Sequence, residues 1–294
     1  SDRVSVFRDG RFITTLNTTE TDRPALIRHM VGRELSETYP RRCSQPGEVL
    51  FELKNLSGNG VRDISFAARA GEVLGIAGLV GAGRSEIIKV AYGAERRQWG
   101  EVLVHGQPAR IRSPRDAMNY GVGLVPEDRK LEGCFLSESI SWNVVYNIIR
   151  KIARCGIIDR KKEAAIAAQY SQRLKIKAPS LRQKVFHLSG GNQQKVVVAK
   201  ALAANTNIII FDEPTRGIDV GAKHEIYELM NELCAEGKCI IMITSDMEEL
   251  LGMSDRIVVF AERRLAGELC REQFSQEAIL ELASGGQTNL EVWA

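Results

Sequence analysis

Three short stretches carry residue types that do chemistry when their spacing is right. The first is Gly78-Leu79-Val80-Gly81-Ala82-Gly83-Arg84-Ser85, which follows the apolar run Val73 to Ala77 and opens a helical segment at Glu86. A strand, a glycine loop and a helix start in that order wrap phosphate oxygens with backbone N–H groups, and the positive helix end adds attraction. The frame is that of G-x-x-x-x-G-K-[ST], in which a lysine reaches the terminal phosphates and the last hydroxyl takes Mg2+. Arg84 stands at the lysine position. It keeps the charge but is longer and planar, so the two are not equivalent. The second stretch is Leu188-Ser189-Gly190-Gly191-Asn192-Gln193-Gln194-Lys195. Ser189 suits an N-cap, and the two glycines let another backbone come close, which makes a second anion site at a helix start. The third is Ile208-Ile209-Ile210-Phe211-Asp212-Glu213-Pro214, an apolar strand that ends in two carboxylates. A reading of Leu188 to Lys195 as a plain turn before an unrelated helix leaves the other two stretches as coincidence.

The elements that must position these groups are visible in the same sequence. Val49 to Leu56 and Val61 to Ala68 are strand-like, separated by Ser57-Gly58-Asn59-Gly60, and predict an antiparallel β-piece. Val102 to Gly106 predicts a strand and turn, with the lone His105 in the turn. Ser113-Pro114 is an N-cap followed by a first-turn proline for a helix running to Tyr120. Val122 to Val125 leads into Pro126-Glu127-Asp128-Arg129. The pattern is helical from Leu131 to about Leu181, most clearly over Ser139 to Ile152 and Arg160 to Leu174. Val196 to Ala204 continues the signature-like stretch as an apolar helix. Lys223 to Glu236 is an amphipathic helix with His224 expected on its solvent side. Cys239 to Thr244 is a buried strand followed by Ser245.

The bulk numbers exclude several classes. The chain has 294 residues, 44% hydrophobic and 26% charged, ordinary values for a globular protein. A net charge of +3 is too small to argue for nucleic acid or an anionic membrane. None of the six cysteines forms a C-x-x-C pair or sits near histidine at zinc spacing, so they are expected mostly as core fillers. No run reaches the roughly 18 apolar residues of a spanning helix.

The chain also repeats itself. Ser1-Asp2-Arg3-Val4-Ser5-Val6-Phe7 matches Ser254-Asp255-Arg256-Ile257-Val258-Val259-Phe260 at five of seven positions, at an offset of 253 residues. Without a gap, Ala25-Leu26-Ile27 then lines up with Ala278-Ile279-Leu280, and Gly32 with Gly285. The expectation is that residues 1–33 are the tail of a preceding homologous domain. The polar, proline-containing residues 34–47 are expected as a linker, 48–286 as the main domain and 287–294 as a C-terminal tail.

From about Val49 to Phe260 the order and spacing of these stretches resemble an ABC-type ATPase, the nucleotide-binding domain of ABC transporters. The resemblance is closer still to the second domain of the tandem ATP-binding subunits of bacterial monosaccharide importers of the ribose, galactose and xylose type. It is carried by Gly81 to Ser85, Leu188 to Lys195, Asp212 to Lys223 (DEPTRGIDVGAK) and Leu251 to Arg256. It implies an α/β P-loop NTPase fold with a mainly parallel core sheet, an antiparallel β-piece in front and an α-helical subdomain at about 131–187. It implies ATP and Mg2+, with Gly78, Gly81, Ala82, Gly83, Arg84, Ser85, Glu86, Glu127 and Ser245 around the nucleotide. Ser85 and Asp212 would hold the metal, and Glu213 with Asp212 would be catalytic. Asp219 matches the acid of the loop that follows the catalytic carboxylates. In the family, domains pair head to tail, so Ser189, Gly190, Gly191 and Gln193 would serve the γ-phosphate held by the other domain.

Departures from the family pattern cluster at one site. Arg84, Glu127 and Ser245 stand where the family has lysine, glutamine and a switch histidine, and no aromatic lies near Ser57 to Val61, where adenine is often stacked. The implied reading is a site that binds nucleotide and hydrolyses it slowly or not at all, while the intact signature stretch completes the partner domain's site. The resemblance further implies membrane permease subunits as partners, a periplasmic sugar-binding protein indirectly, no nucleic acid, and a peripheral place on the cytoplasmic face of the inner membrane. A DNA-repair or ribosomal ABC ATPase fits less well. Only about a hundred residues separate Gly83 from Ser189, and no long heptad run is present. A catalytically dead module that only completes a dimer is the remaining alternative, and the retained Ser85, Asp212 and Glu213 argue against it.

Overall fold

The computed structural model describes residues 1–8, 11–21, 39–40 and 46–285. Its strands, in chain order, are β1 (Arg3–Arg8), β2 (Arg11–Asn17), β3 (Val49–Gly58), β4 (Val61–Arg69), β5 (Val73–Gly78), β6 (Arg97–Val104), β7 (Gln107–Pro108), β8 (Val122–Val125), β9 (Ala153–Arg154), β10 (Ile157–Ile158), β11 (Ile208–Asp212), β12 (Cys239–Ile243), β13 (Arg256–Ala261) and β14 (Arg264–Cys270). The helices are α1 (Arg84–Ala91), α2 (Pro114–Asn119), α3 (Ile140–Val145), α4 (Ile149–Ile152), α5 (Arg160–Arg173), α6 (Gly190–Ala203), α7 (Val220–Ala235), α8 (Met247–Met253) and α9 (Gln276–Ala283).

Six strands form the core sheet in the order β14-β13-β5-β12-β11-β8. All neighbours are parallel except the edge pair β13–β14. The strands that read as unbroken apolar runs are the central ones, because a parallel sheet is covered on both faces. Their two-residue alternation divides them between two cores. Ile209, Phe211, Ile240 and Met242 face the side covered by α3 and α5 to α9. Ile208, Ile210, Ile241 and Ile243 face the side covered by α1, α2 and a second, antiparallel sheet of order β4-β3-β6-β7. The expected fold class is therefore the observed one: a mainly parallel sheet, an antiparallel piece in front, and a largely helical insertion.

One predicted helix is interrupted. The stretch expected as continuous from Ser139 to Ile152 starts on the Ser139 cap but passes through a 3-10 turn at Tyr146–Ile148 between α3 and α4. It is rich in β-branched residues and asparagine, which are weak helix formers. Tertiary bonds decide its path. Buried Asn143 accepts from the N–H of Phe135 at 2.8 Å and donates to its carbonyl at 3.0 Å. Asn147 donates to the Lys200 carbonyl on α6 at 3.4 Å. The 153–158 segment forms a small β9–β10 hairpin rather than helix. Of the five described cysteines, Cys134, Cys234 and Cys239 fill core as expected, while Cys155 and Cys270 are exposed. His224 is not a solvent-side residue: it is largely buried on α7, with Nε2 at 3.3 Å from Glu228.

The repeat is visible as structure. β1 and β2 pair antiparallel with a register break between Val6 and Phe7, and β13 and β14 pair with a break between Val259 and Phe260. Every paired position of one hairpin maps to the other at the 253-residue offset. The residues aligned to α9, Ala25-Leu26-Ile27 and Gly32, lie outside the described residues. Four residues of the expected linker are described, Tyr39, Pro40, Pro46 and Gly47. The Tyr39 ring lies 5.3 Å from that of Tyr227, and the Pro40 carbonyl accepts from Asn231 at 3.0 Å, both on α7. Gly252 makes room for Tyr39, since a Cβ there would meet its ring at 2.3 Å.

Candidate functional site

The C-terminal ends of β5, β11 and β12 lie side by side, so the loops that follow them share one edge of the sheet. This places the glycine loop, the two carboxylates and Ser245 together, as the sequence order predicts for an open α/β sheet. The loop turns through Gly81 (φ 82°) and Gly83 (φ 100°), conformations that disfavour a side chain. Gly83 is the N-cap of α1, and Ala82 is buried beneath the turn with its N–H on the Leu79 carbonyl at 3.0 Å. Gly78 sits where a Cβ would meet the Phe260 carbonyl at 2.7 Å, so the end of β5 lies flush against β13.

Ser85 Oγ donates to Asp212 Oδ1 at 3.3 Å. Asp212 is only 5% exposed, and burial pushes its pKa up to about 6. The Ser85 bond opposes this shift, the neighbouring Glu213 charge adds to it, and Lys89 and Arg84 oppose it. A hydroxyl and a buried carboxylate at this separation are hard oxygen donors of the kind Mg2+ takes, with phosphate oxygens and waters completing its shell. Among the described residues no group of three or more His, Cys, Asp or Glu is placed to hold a metal unaided.

Glu213 takes a left-handed backbone (φ 49°), which costs about 1 kcal/mol and is held by its N–H on the Ile243 carbonyl at 2.8 Å. Its carboxylate accepts from Ser245 Oγ at 3.2 Å, so the two residues meet. Arg84 bends over the loop, and its Nη1 donates to the Thr244 carbonyl at 2.9 Å. A cavity of about 230 Å3 opens here, lined by Gly78, Leu79, Val80, Arg84, Thr244 and Ser245 and bordered on one side by α9. Glu86 is in the first turn of α1. Glu127 forms an ion pair with Arg216, so its side chain is engaged with the segment after Glu213.

The signature-like stretch builds as expected. Ser189 caps α6, its Oγ accepting from the Asn192 N–H at 3.4 Å and side-chain amide at 3.0 Å. Gly190 and Gly191 follow, with Gly191 pressed against Ala222 of α7. Gln193 departs from the expected nucleotide contact. It is 5% exposed, and its amide donates inward to the Val185 and Leu188 carbonyls at 3.2 and 3.3 Å, where it shapes the approach to Ser189. Asp219 caps α7, accepting from the Ala222 N–H at 2.9 Å.

Two groups escaped the sequence reading. Arg129 donates to the carbonyls of Arg216 and Gly217 at 2.8 and 3.0 Å, and its guanidinium lies over Gly190. It ties the segment after β8 to both the signature turn and the loop before α7. Nothing in its spacing announced this. The second is Glu249, buried on α8. The Thr244 hydroxyl donates to its carboxylate, and burial holds that carboxyl above its ordinary range against the bonds from Thr244 and Thr215. It links the ends of β11 and β12 from below.

The sequence profile described as ABC transporter matches residues 61–216. The chain belongs to the ABC transporter family. Relatives in this family include a ribose import ATP-binding protein of Bacillus subtilis, 45% identical, the match covering 97% of this chain and 58% of the relative. Another ribose import ATP-binding protein, of Streptomyces coelicolor, is 48% identical over 98% of this chain and 56% of the relative. The chain thus spans somewhat over half the length of the curated relatives it matches. Among solved structures, an ATP-binding cassette of an ABC transporter in its ADP conformation superposes with a TM-score of 0.67 at 20% identity, over 81% of this chain and all of the other. A dimeric cassette bound to ADP and Pi superposes at 0.65 with 22% identity, over 76% of this chain and all of the other. These likenesses establish the fold of the cassette. Among the described residues no helix is long and apolar enough to cross a membrane.

Proposed function

We propose that this chain is the second nucleotide-binding domain of the ATP-binding subunit of a bacterial monosaccharide importer, binding ATP with Mg2+ and coupling its hydrolysis to uptake. The observation that carries the nucleotide reading is the convergence of the Gly81–Ser85 loop, Asp212, Glu213 and Ser245 at one sheet edge, with Ser85 on Asp212 and Ser245 on Glu213. The names of the relatives support ribose or a similar sugar as cargo. The matching hairpins support residues 1–33 as the tail of a preceding homologous domain, 34–47 as linker, 48–286 as this domain with a helical subdomain at about 131–187, and 287–294 as a tail. Its partners are that preceding domain, membrane permease subunits and, through them, a periplasmic sugar-binding protein. It sits peripherally on the cytoplasmic face of the inner membrane.

In this reading the loop N–H groups and Arg84 hold the phosphates. Ser85 and Asp212 would hold Mg2+, which supplies charge neutralisation on the phosphates. Glu213 accepts the proton of the attacking water, and Ser245 orients its carboxylate. Turnover at this site is slow, because Arg84, Glu127 and Ser245 replace the lysine, glutamine and histidine of the family pattern and Glu127 is engaged by Arg216. The capped helix start at Ser189 is intact and serves the site of the preceding domain. Calorimetry of ATP-Mg2+ on the chain, with a phosphate-release assay beside it, tests this. Binding with negligible release is expected. Arg84→Lys, Glu127→Gln and Ser245→His together in the full-length subunit should raise turnover at this site, and no gain would count against the reading. Failure to bind any nucleotide would leave a structural module that contributes only its signature helix.

A further inference from the structure

The turn between β13 and β14 carries two non-glycine residues in the left-handed region, Glu262 (φ 48°) and Arg263 (φ 64°). At the 253-residue offset the sequence Asp9-Gly10 aligns with Glu262-Arg263, so Gly10 stands opposite Arg263. Asp-Gly is the pair that a tight hairpin turn with two left-handed residues favours. Arginine in the glycine position is strained, and such strain persists only when the surroundings fix it. Here they do. The Arg263 N–H donates to the Ala82 carbonyl inside the glycine loop at 3.1 Å, and its own carbonyl accepts from the Arg62 N–H at 3.1 Å. Its guanidinium donates from Nη1 to the Asn59 carbonyl at 3.1 Å and lies 4.0 Å from the Glu86 carboxylate. It fills the corner beside Gly60, where a Cβ would meet Nη1 at 2.3 Å, and its backbone abuts Gly83.

The two flanks of the glycine loop differ. One carries Asp212, Glu213, Thr244 and Ser245, the groups suited to Mg2+ and the terminal phosphate. The other is built from Val61, Gly60 and Arg263 against Gly83. A nucleotide whose terminal phosphates occupy the first flank sends its nucleoside out along the second. That flank presents a planar cation, half exposed and held from two sides, on the hairpin tip where the sequence offers no aromatic.

We propose that Arg263 is the platform for the purine base of the bound nucleotide, its guanidinium plane stacked on the ring while Asn59 and Glu86 hold its edges. A guanidinium stacks on a π-face as an ammonium does not. This rests on the reading above that the loop binds a nucleoside triphosphate.

The test compares ATP-Mg2+ with inorganic tripolyphosphate-Mg2+, both competing against a fluorescent ATP analogue, on the unchanged chain, Arg263→Gly and Arg263→Lys. Arg263→Gly should weaken ATP about two- to fivefold, the range for an exposed cation–π contact. It should leave tripolyphosphate unchanged and unfold at an equal or higher urea concentration, because glycine relieves the left-handed strain. Arg263→Lys keeps the charge without the plane and should lose ATP affinity as the glycine variant does. Equal losses for ATP and tripolyphosphate would make Arg263 a phosphate cation and overturn the platform. Unchanged ATP affinity in Arg263→Gly would overturn it too, as would a loss seen instead in Trp99→Ala, the exposed aromatic across from Ser57 on β6. An unchanged chain that binds neither ligand would sink the nucleotide reading itself.

Discussion

Gly191 is where the signature helix touches the helix that follows the carboxylates, and adding one methyl there should be felt in both stability and activity. A Cβ built on Gly191 lies 2.5 Å from the Cβ of Ala222, which is fixed to the α7 backbone and has no rotamer to change. Carbon atoms pack at about 3.5–4.0 Å, so the starts of α6 and α7 must part by about 1 Å. Overpacking of this kind costs about 1–3 kcal/mol. Alanine regains up to about 1 kcal/mol of helix propensity over glycine, which leaves Gly191→Ala about 1 kcal/mol less stable. Moving the methyl rather than adding it should restore the spacing. The double variant Gly191→Ala, Ala222→Gly should therefore be less destabilised than the sum of the singles, with a coupling of about 1–2 kcal/mol. Urea unfolding of the four chains measures this. The helix starts carry Ser189 and Asp219, each bonded into its own first turn. ATP turnover in the full-length subunit should fall in Gly191→Ala and recover in the double variant. Parental stability in Gly191→Ala, or no recovery in the double variant, would refute the packing reasoning.

Asp212 gives a pH-dependent prediction. With its pKa raised to about 6, the native chain keeps a proton that the unfolded chain releases between about pH 4 and 6, so the parent loses stability as pH rises through that window. A shift of about two units corresponds to about 3 kcal/mol. Asp212→Asn should be more stable than the parent by up to that amount at pH 8, by almost nothing near pH 4, and should lose Mg2+-dependent nucleotide binding. Equal urea midpoint differences at both pH values would contradict it. Glu213→Gln should retain nucleotide binding while any turnover at this site drops by about 10²–10⁴-fold, as loss of a general base does; phosphate release under single-turnover conditions reads it. Ser189→Ala removes the cap of α6 and should cost about 1 kcal/mol in urea unfolding. It should also lower turnover of the full-length subunit while leaving ATP binding by this chain unchanged, and an equal fall in binding here would place Ser189 in this domain's own site.

Local spacing alone determined much of this protein. The caps Ser113, Ser139 and Ser189 bond to groups three residues away, so their sequence context suffices to place helix starts, whereas the helix expected from Lys223 starts earlier, at Val220, on the Asp219 cap. The apolar runs ending at Gly78, Asp212 and Thr244 had to be buried parallel strands, and strands of one open sheet bring their ends to one edge. That is why the loop, the carboxylates and Ser245 were legible as one site. Long side chains were not legible, because their ends reach neighbours that only the packing brings near. Arg84 reaching Thr244, Glu127 pairing with Arg216 and Arg129 holding Gly217 span 160, 89 and 88 residues of chain. Gln193 turned inward because the segment before Ser189 folds beneath it, and the helix expected over 139–152 broke at Tyr146–Ile148, where Asn147 found the Lys200 carbonyl. The strands of the core sheet and the cap bonds followed from neighbours in sequence, whereas the break in the 139–152 helix and the destination of long side chains followed from neighbours in space.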